Sequence, residues 1–132
     1  MQEHQPHSTI LLLGLTPALA ARLAGDVGNT AFVVHTAKPV ADPFGQVKQV
    51  QPDLLICDLD APGIGGKQLV EHLRSDPATE QVCVMVIGTQ QQMFLPSGAE
   101  KAYPDAMLDK PLDYESLLRL IRECLRALDA SA

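Results

Sequence analysis

Residues 52–74 read PDLLICDLDAPGIGGKQLVEHLR, and this stretch decides the architecture. Asp53 to Asp58 carries an unbroken aliphatic run, as expected of a strand covered on both faces. The DAPGIGG that follows is a loop by its proline and three glycines. Helical spacing then begins with Leu69, Val70 and Leu73, and Pro77 bars its continuation. One strand, one loop and one helix in this order make half of a βαβ unit.

The same alternation extends in both directions. Upstream, Ile10 to Leu13 is a second buried-strand pattern, and Thr16-Pro17 reads as an N-cap followed by proline at the first helical position. Ala18 to Leu23 carries that helix, with Gly25 expected to stop it. Ala31 to His35 is β-branched and aromatic, hence a strand. A weaker helix covers Phe44 to Gln51.

Downstream, Val82 to Ile87 is a fourth apolar strand, and residues 88–104 have room for at most a short helix. Ala106 to Leu108 makes a short fifth strand. In the last helix Asp113 is the N-cap, and Leu117, Ile121, Leu125 and Leu128 form one apolar stripe that Leu118 and Cys124 widen. Arg119, Arg122 and Arg126 line the opposite side, and Leu120 falls off the stripe.

Five strands alternating with helices imply right-handed βαβ units. The expected fold is a three-layer α/β domain, flavodoxin-like, with a five-stranded parallel sheet of order 2-1-3-4-5. Its functional crevice then lies at the carboxyl ends of the strands. The expected organisation is a tail over 1–8, one domain over 9–128 and a short tail over 129–132.

Lys plus Arg is 10 against Asp plus Glu 16, a net charge of −6. That balance gives no basic footprint for nucleic acid and disfavours an anionic membrane surface. Residues 10–20, ILLLGLTPALA, have the look of an export signal. However, no Lys or Arg precedes them, Pro17 interrupts the run, and the sheet needs the segment as its first strand. No stretch approaches the roughly 18 consecutive apolar residues of a membrane span, so a cytoplasmic protein is expected. Cys57, Cys83 and Cys124 show no metal-site spacing and are expected as small core residues in a reducing compartment.

The run from Asp58 through Pro62-Gly63 to Gly66, together with LDKPLDYESLLRLI at 108–121, resembles the receiver domains of bacterial response regulators. The resemblance spans essentially the whole chain. It implies that Asp58 holds the phosphoacceptor position and Lys110 the family's lysine, followed by Pro111, whose peptide bond is usually cis in the family. Receiver domains take a phosphoryl group from a histidine kinase onto that aspartate and then act on an output or effector protein. Mg²⁺ and the lysine offset the charge that develops when one anion attacks another.

The resemblance also exposes what is missing. In the family two adjacent acidic residues at the end of strand one help hold the Mg²⁺. Here Leu13, Gly14 and Leu15 stand at that place, and no carboxylate occurs between Glu3 and Asp26. The family's Ser/Thr position is Gly88, with Thr89 one step on as a substitute hydroxyl. The aromatic switch position is Met107. Asp60 is a candidate replacement metal ligand, weighed against a solvated loop acid.

Other chemistry finds little support. PGIGGK fails the phosphate-loop pattern, because Ala61 stands at its first glycine and Gln68 at its Ser/Thr. His4, His7, His35 and His72 build no catalytic or metal arrangement by spacing. The expectation is a non-enzymatic receiver without cofactor. It would signal through contacts with a histidine kinase or an effector protein, with a homodimer through the last helix as a further option. The alternative is a phosphoaccepting receiver that uses Asp58, Lys110 and Mg²⁺ in an improvised site.

Overall fold

The computed structural model of the chain describes residues 8–27, 32–36, 43–59, 66–89 and 105–131. Within them lie strands β1 (Ser8–Leu13), β2 (Phe32–Thr36), β3 (Leu54–Asp58), β4 (Cys83–Gly88) and β5 (Ala106–Asp109). The described helices are α1 (Pro17–Val27), α2 (Pro43–Val50), α3 (Gly66–Ser75) and α4 (Tyr114–Ser131). All neighbouring strands pair in parallel, in the order β2-β1-β3-β4-β5. This is the expected flavodoxin-like sheet.

Alternation along each strand divides the core into two layers. Leu11, Leu13, Leu55, Cys57, Val84 and Val86 pack with Val47 of α2 and with Leu69, Val70 and Leu73 of α3. Ile10, Leu12, Leu54, Ile56, Met85 and Ile87 pack on the other face. There they meet Ala20 and Leu23 of α1 and Leu117, Ile121 and Leu125 of α4. Each aliphatic side chain fully buried this way contributes on the order of 1.5–3 kcal/mol. Leu120, expected outside the stripe, packs half-buried against this second layer.

The helix starts follow their capping residues. Thr16 Oγ1 accepts the Leu19 N–H at 3.2 Å, and the Thr16 carbonyl accepts that of Ala20 at 2.9 Å. At α4 the Asp113 carboxylate accepts the Ser116 hydroxyl at 2.6 Å. That bond, with the backbone amides of Ser116 and Glu115, holds the Asp113 carboxyl below its ordinary range. The expected stop at Gly25 is corrected: α1 runs through it to Val27. Gly25 is exposed with open space around it, so the glycine costs the helix only about 1 kcal/mol and does not end it.

Two aspartates secure the amino-terminal edge of the sheet. Asp53 Oδ2 accepts the Thr9 N–H at 2.8 Å, and the Asp53 N–H donates to the Thr9 carbonyl at 2.8 Å. Asp105 repeats the arrangement with Val84, again at 2.8 Å in each direction. Arg74 then ties α3 to the same corner. It donates to the carbonyls of Glu80 and Val82 at 3.0 and 2.7 Å and to Asp105 Oδ2 at 2.8 Å.

Candidate functional site

The pairing register brings four strand ends level. Leu13 lies beside Cys57, Asp58 beside Ile87, and Gly88 beside Asp109. The next residues therefore leave the sheet together at its carboxyl edge, where an open parallel sheet presents a crevice. Two backbone bonds across the edge fix the exits: Leu59 N–H to the Ile87 carbonyl at 2.9 Å, and Lys110 N–H to the Gly88 carbonyl at 3.0 Å.

In this crevice Lys110 Nζ donates to Asp58 Oδ1 at 2.9 Å. The two side chains are 25% and 22% exposed, so the pair is partly shielded yet open to a small solute. Burial pushes the thiol of the preceding residue, Cys57, up to about 12, with the Asp58 charge acting in the same direction. Cys57 is therefore a packed apolar group rather than a nucleophile. The Lys110–Pro111 peptide bond is cis.

The end of β1 is apolar. Leu13 and Leu15 are 2% and 8% exposed, and Leu15 packs among Ile10, Leu12, Ile56 and Ile87. Gly14 between them has φ 79°, in the left-handed region that favours glycine. Mg²⁺ calls for near-octahedral oxygen ligation anchored by carboxylates. Neither Gly14 nor Leu15 has a side-chain oxygen, so the donor set at this strand end does not fit the ion. Among the described residues, no group of three His, Cys, Asp or Glu side chains is suited to a metal. Asp60 lies outside the described residues.

The remaining candidates are placed as follows. Gly88 closes β4 and is buried, and Thr89 follows it, exposed at the rim. Met107 is 49% exposed on β5. His35 and His72 are both exposed, and the His72 ring meets Phe44 edge-on at 5.5 Å. His4 and His7 fall outside the described residues. Arg119, Arg122 and Arg126 lie exposed on α4.

Some groups escaped sequence reasoning. The Arg74–Asp105 link has no local signal, because its partners come together only when α3, β4 and β5 assemble. Cys83 and Cys124, expected as small core residues, are half-buried and line one surface groove, a juxtaposition that their distance in sequence hides.

No helix among the described residues is long and apolar enough to cross a membrane. Protein PilH of Pseudomonas aeruginosa is 26% identical over 116 residues, covering 88% of this chain and 96% of that protein. The DNA-binding dual master transcriptional regulator RpaA of Synechocystis is 27% identical over 120 residues. That match covers 91% of this chain but 50% of RpaA, so the chain spans half of that relative. A solved sensor protein from Polaromonas superposes with TM-score 0.73 at 26% identity, covering 96% of this chain and all of that one. The chemotaxis response regulator CheY4 of Vibrio cholerae superposes with TM-score 0.71 over 90% of this chain and 99% of its own. At 16% identity it speaks for the fold alone. The family model of the response regulator receiver domain matches residues 16–122, and with the 2-1-3-4-5 sheet this establishes that the chain belongs to the receiver-domain family of two-component signalling.

Proposed function

We propose that this chain is an atypical receiver whose output runs through protein contacts and does not depend on Mg²⁺-assisted phosphorylation. One observation carries the reading: the end of β1 presents Gly14 and a buried Leu15 where divalent-ion capture calls for carboxylates. Transfer of a phosphoryl group to Asp58 would press two anions together in a half-shielded crevice. Lys110 brings a single positive charge to that encounter, whereas the chemistry calls for more. The 2.9 Å pair then acts as a tie, joining the ends of β3 and β5 in one arrangement.

Two further features support the reading. Gly88 has no hydroxyl to follow a phosphoryl oxygen, although Thr89 stands one residue away. Met107, flexible and unbranched, has no ring to swing between a buried and an exposed position. The partner on this account is a histidine kinase or an effector protein, met by the sheet edge and α4. The exposed arginines of α4 suit a protein surface, and a homodimer through that helix is the form that needs no second gene product. The net charge of −6 argues against nucleic acid as the partner of this domain.

One observation favours a second reading, phosphoacceptance at Asp58: Lys110 already points its ammonium at that carboxylate. Incubation with acetyl phosphate and Mg²⁺, followed by intact mass, separates the two. An unchanged mass is expected. A phosphoryl adduct that disappears in Asp58→Asn would establish the second reading instead.

A further inference from the structure

The outer side of α4 is not uniformly polar. Arg119, Arg122 and Arg126 are exposed and follow one another at steps of three and four, so their side chains share one face. With Glu115 and the half-buried Leu118 they line a surface groove of about 410 Å³. One turn before Leu118, Tyr114 carries this face onto α1. Its hydroxyl donates to Asp26 Oδ2 at 2.6 Å, and the Arg22 guanidinium lies 3.7 Å from the centre of its ring. A fourth arginine is thereby held at the same surface.

The chain carries a net charge of −6, yet four of its ten Lys and Arg residues gather here. Among the described residues none of the four forms a salt bridge, whereas Lys48, Arg74 and Lys110 pair with Asp76, Asp105 and Asp58. The chain's own carboxylates therefore leave these guanidinium groups open to an external anion. Arginine binds a carboxylate through two parallel hydrogen bonds and is the cation enriched at protein interfaces.

We propose that the α1–α4 face docks an acidic, amphipathic helical segment of a partner protein, a proposal that rests on the reading of an output carried by protein contacts. Arg119 and Arg126 stand seven residues apart, about 10 Å along the helix axis. A facing helix with carboxylates at matching steps meets the three guanidinium groups, and an apolar residue between them has Leu118 to pack on. Arg22 adds a contact at small ordering cost, because the Tyr114 ring already restricts it. A two-fold dimer through this face would set the arginines against their own copies. A phosphate polymer would meet Glu115 in the groove and the overall negative charge of the chain.

The test titrates the ¹⁵N-labelled full chain with a synthetic helical peptide of about 18 residues, its Glu and Leu placed at steps of three and four. A control peptide carries Gln for every Glu. Saturable shifts are expected at the amides of Arg22, Leu118, Arg119 and Arg122, with affinity falling about fivefold or more as sodium chloride rises from about 50 to about 300 mM. The double variant Arg119→Gln, Arg122→Gln should bind about tenfold more weakly, and Glu115→Gln about twofold more tightly. These side chains are exposed, and the amide spectrum of each variant verifies its fold. Equal binding of the Gln peptide, wild-type affinity in the double variant, or shifts centred elsewhere would each overturn the proposal. So would tighter binding of duplex DNA or of phosphatidylglycerol vesicles than of the acidic peptide. Asp58→Asn should bind as the wild type does. No peptide binding, with the mass unchanged by acetyl phosphate, would sink the docking surface alone. Binding retained beside a phosphoryl adduct on Asp58 would support the surface and overturn only the output's independence of phosphorylation.

Discussion

Lys110 and Asp58, 52 residues apart in sequence, meet at 2.9 Å where β5 and β3 leave the sheet. Two strands separated by β4 are thereby joined across the crevice. With about a quarter of each side chain exposed, the pair lies between the surface and buried limits. A coupling of about 1–2 kcal/mol is expected from a double-mutant cycle of Asp58→Asn and Lys110→Met in urea unfolding. Coupling indistinguishable from zero would mean the contact does not tie the strands.

Restoring the acidic pair should reveal both its function and its cost. Gly14→Asp forces a side chain onto a left-handed backbone, and Leu15→Asp puts a carboxylate where an apolar side chain is 8% exposed. The double variant is expected to lose roughly 2–5 kcal/mol of stability, yet to gain Mg²⁺ affinity. Magnesium should raise its unfolding midpoint while leaving the wild type unmoved. A folded double variant that ignores magnesium would show that carboxylates at these positions are insufficient.

Arg74 holds a corner that sequence inspection passes over. Its guanidinium meets two carbonyls and the Asp105 carboxylate and is only 18% exposed. Arg74→Met should cost about 2 kcal/mol, read by chemical denaturation. Hydrogen exchange should quicken at the start of β4, where Asp105 receives the Val84 amide. Unchanged exchange there would detach the arginine from the edge it is argued to hold.

The α4 cap gives a pH signature. The Asp113 carboxyl lies below its ordinary value in the folded chain, because it accepts the Ser116 hydroxyl and nearby amides. The unfolded state therefore binds the proton more readily. The stabilisation is present above the ordinary value of 3.8 and is lost as pH falls through the lower folded value. Asp113→Ala should lower the unfolding midpoint at neutral pH, and the gap from wild type should narrow toward pH 3. A constant gap across that range would argue that the charge has no part in the cap.

Much of the fold was legible because its signals are local. The aliphatic runs at Ile10–Leu13 and Leu54–Cys57 read as strands covered on both faces, and Thr16-Pro17 and Asp113 mark helix starts by their own chemistry. Asp58 and Lys110 were singled out through the resemblance to receiver domains, and the fold brings the two together at the carboxyl edge of the sheet. Gly25 misled, because a glycine in an exposed turn lowers helix stability without ending the helix. The Arg74–Asp105 link was invisible for a different reason. It joins residues 31 positions apart, and nothing in either neighbourhood anticipates the other.

The account depends most on the inability of the β1 end to hold a divalent cation. Titration of the ¹⁵N-labelled wild-type chain with magnesium chloride into the millimolar range, read at the amides of Gly14, Asp58 and Lys110, tests it directly. The prediction is shifts no larger and no more saturable than those produced by the same ionic strength of sodium chloride. Saturable shifts centred on Asp58, abolished in Asp58→Asn, would contradict it and make this domain a metal-binding phosphoacceptor.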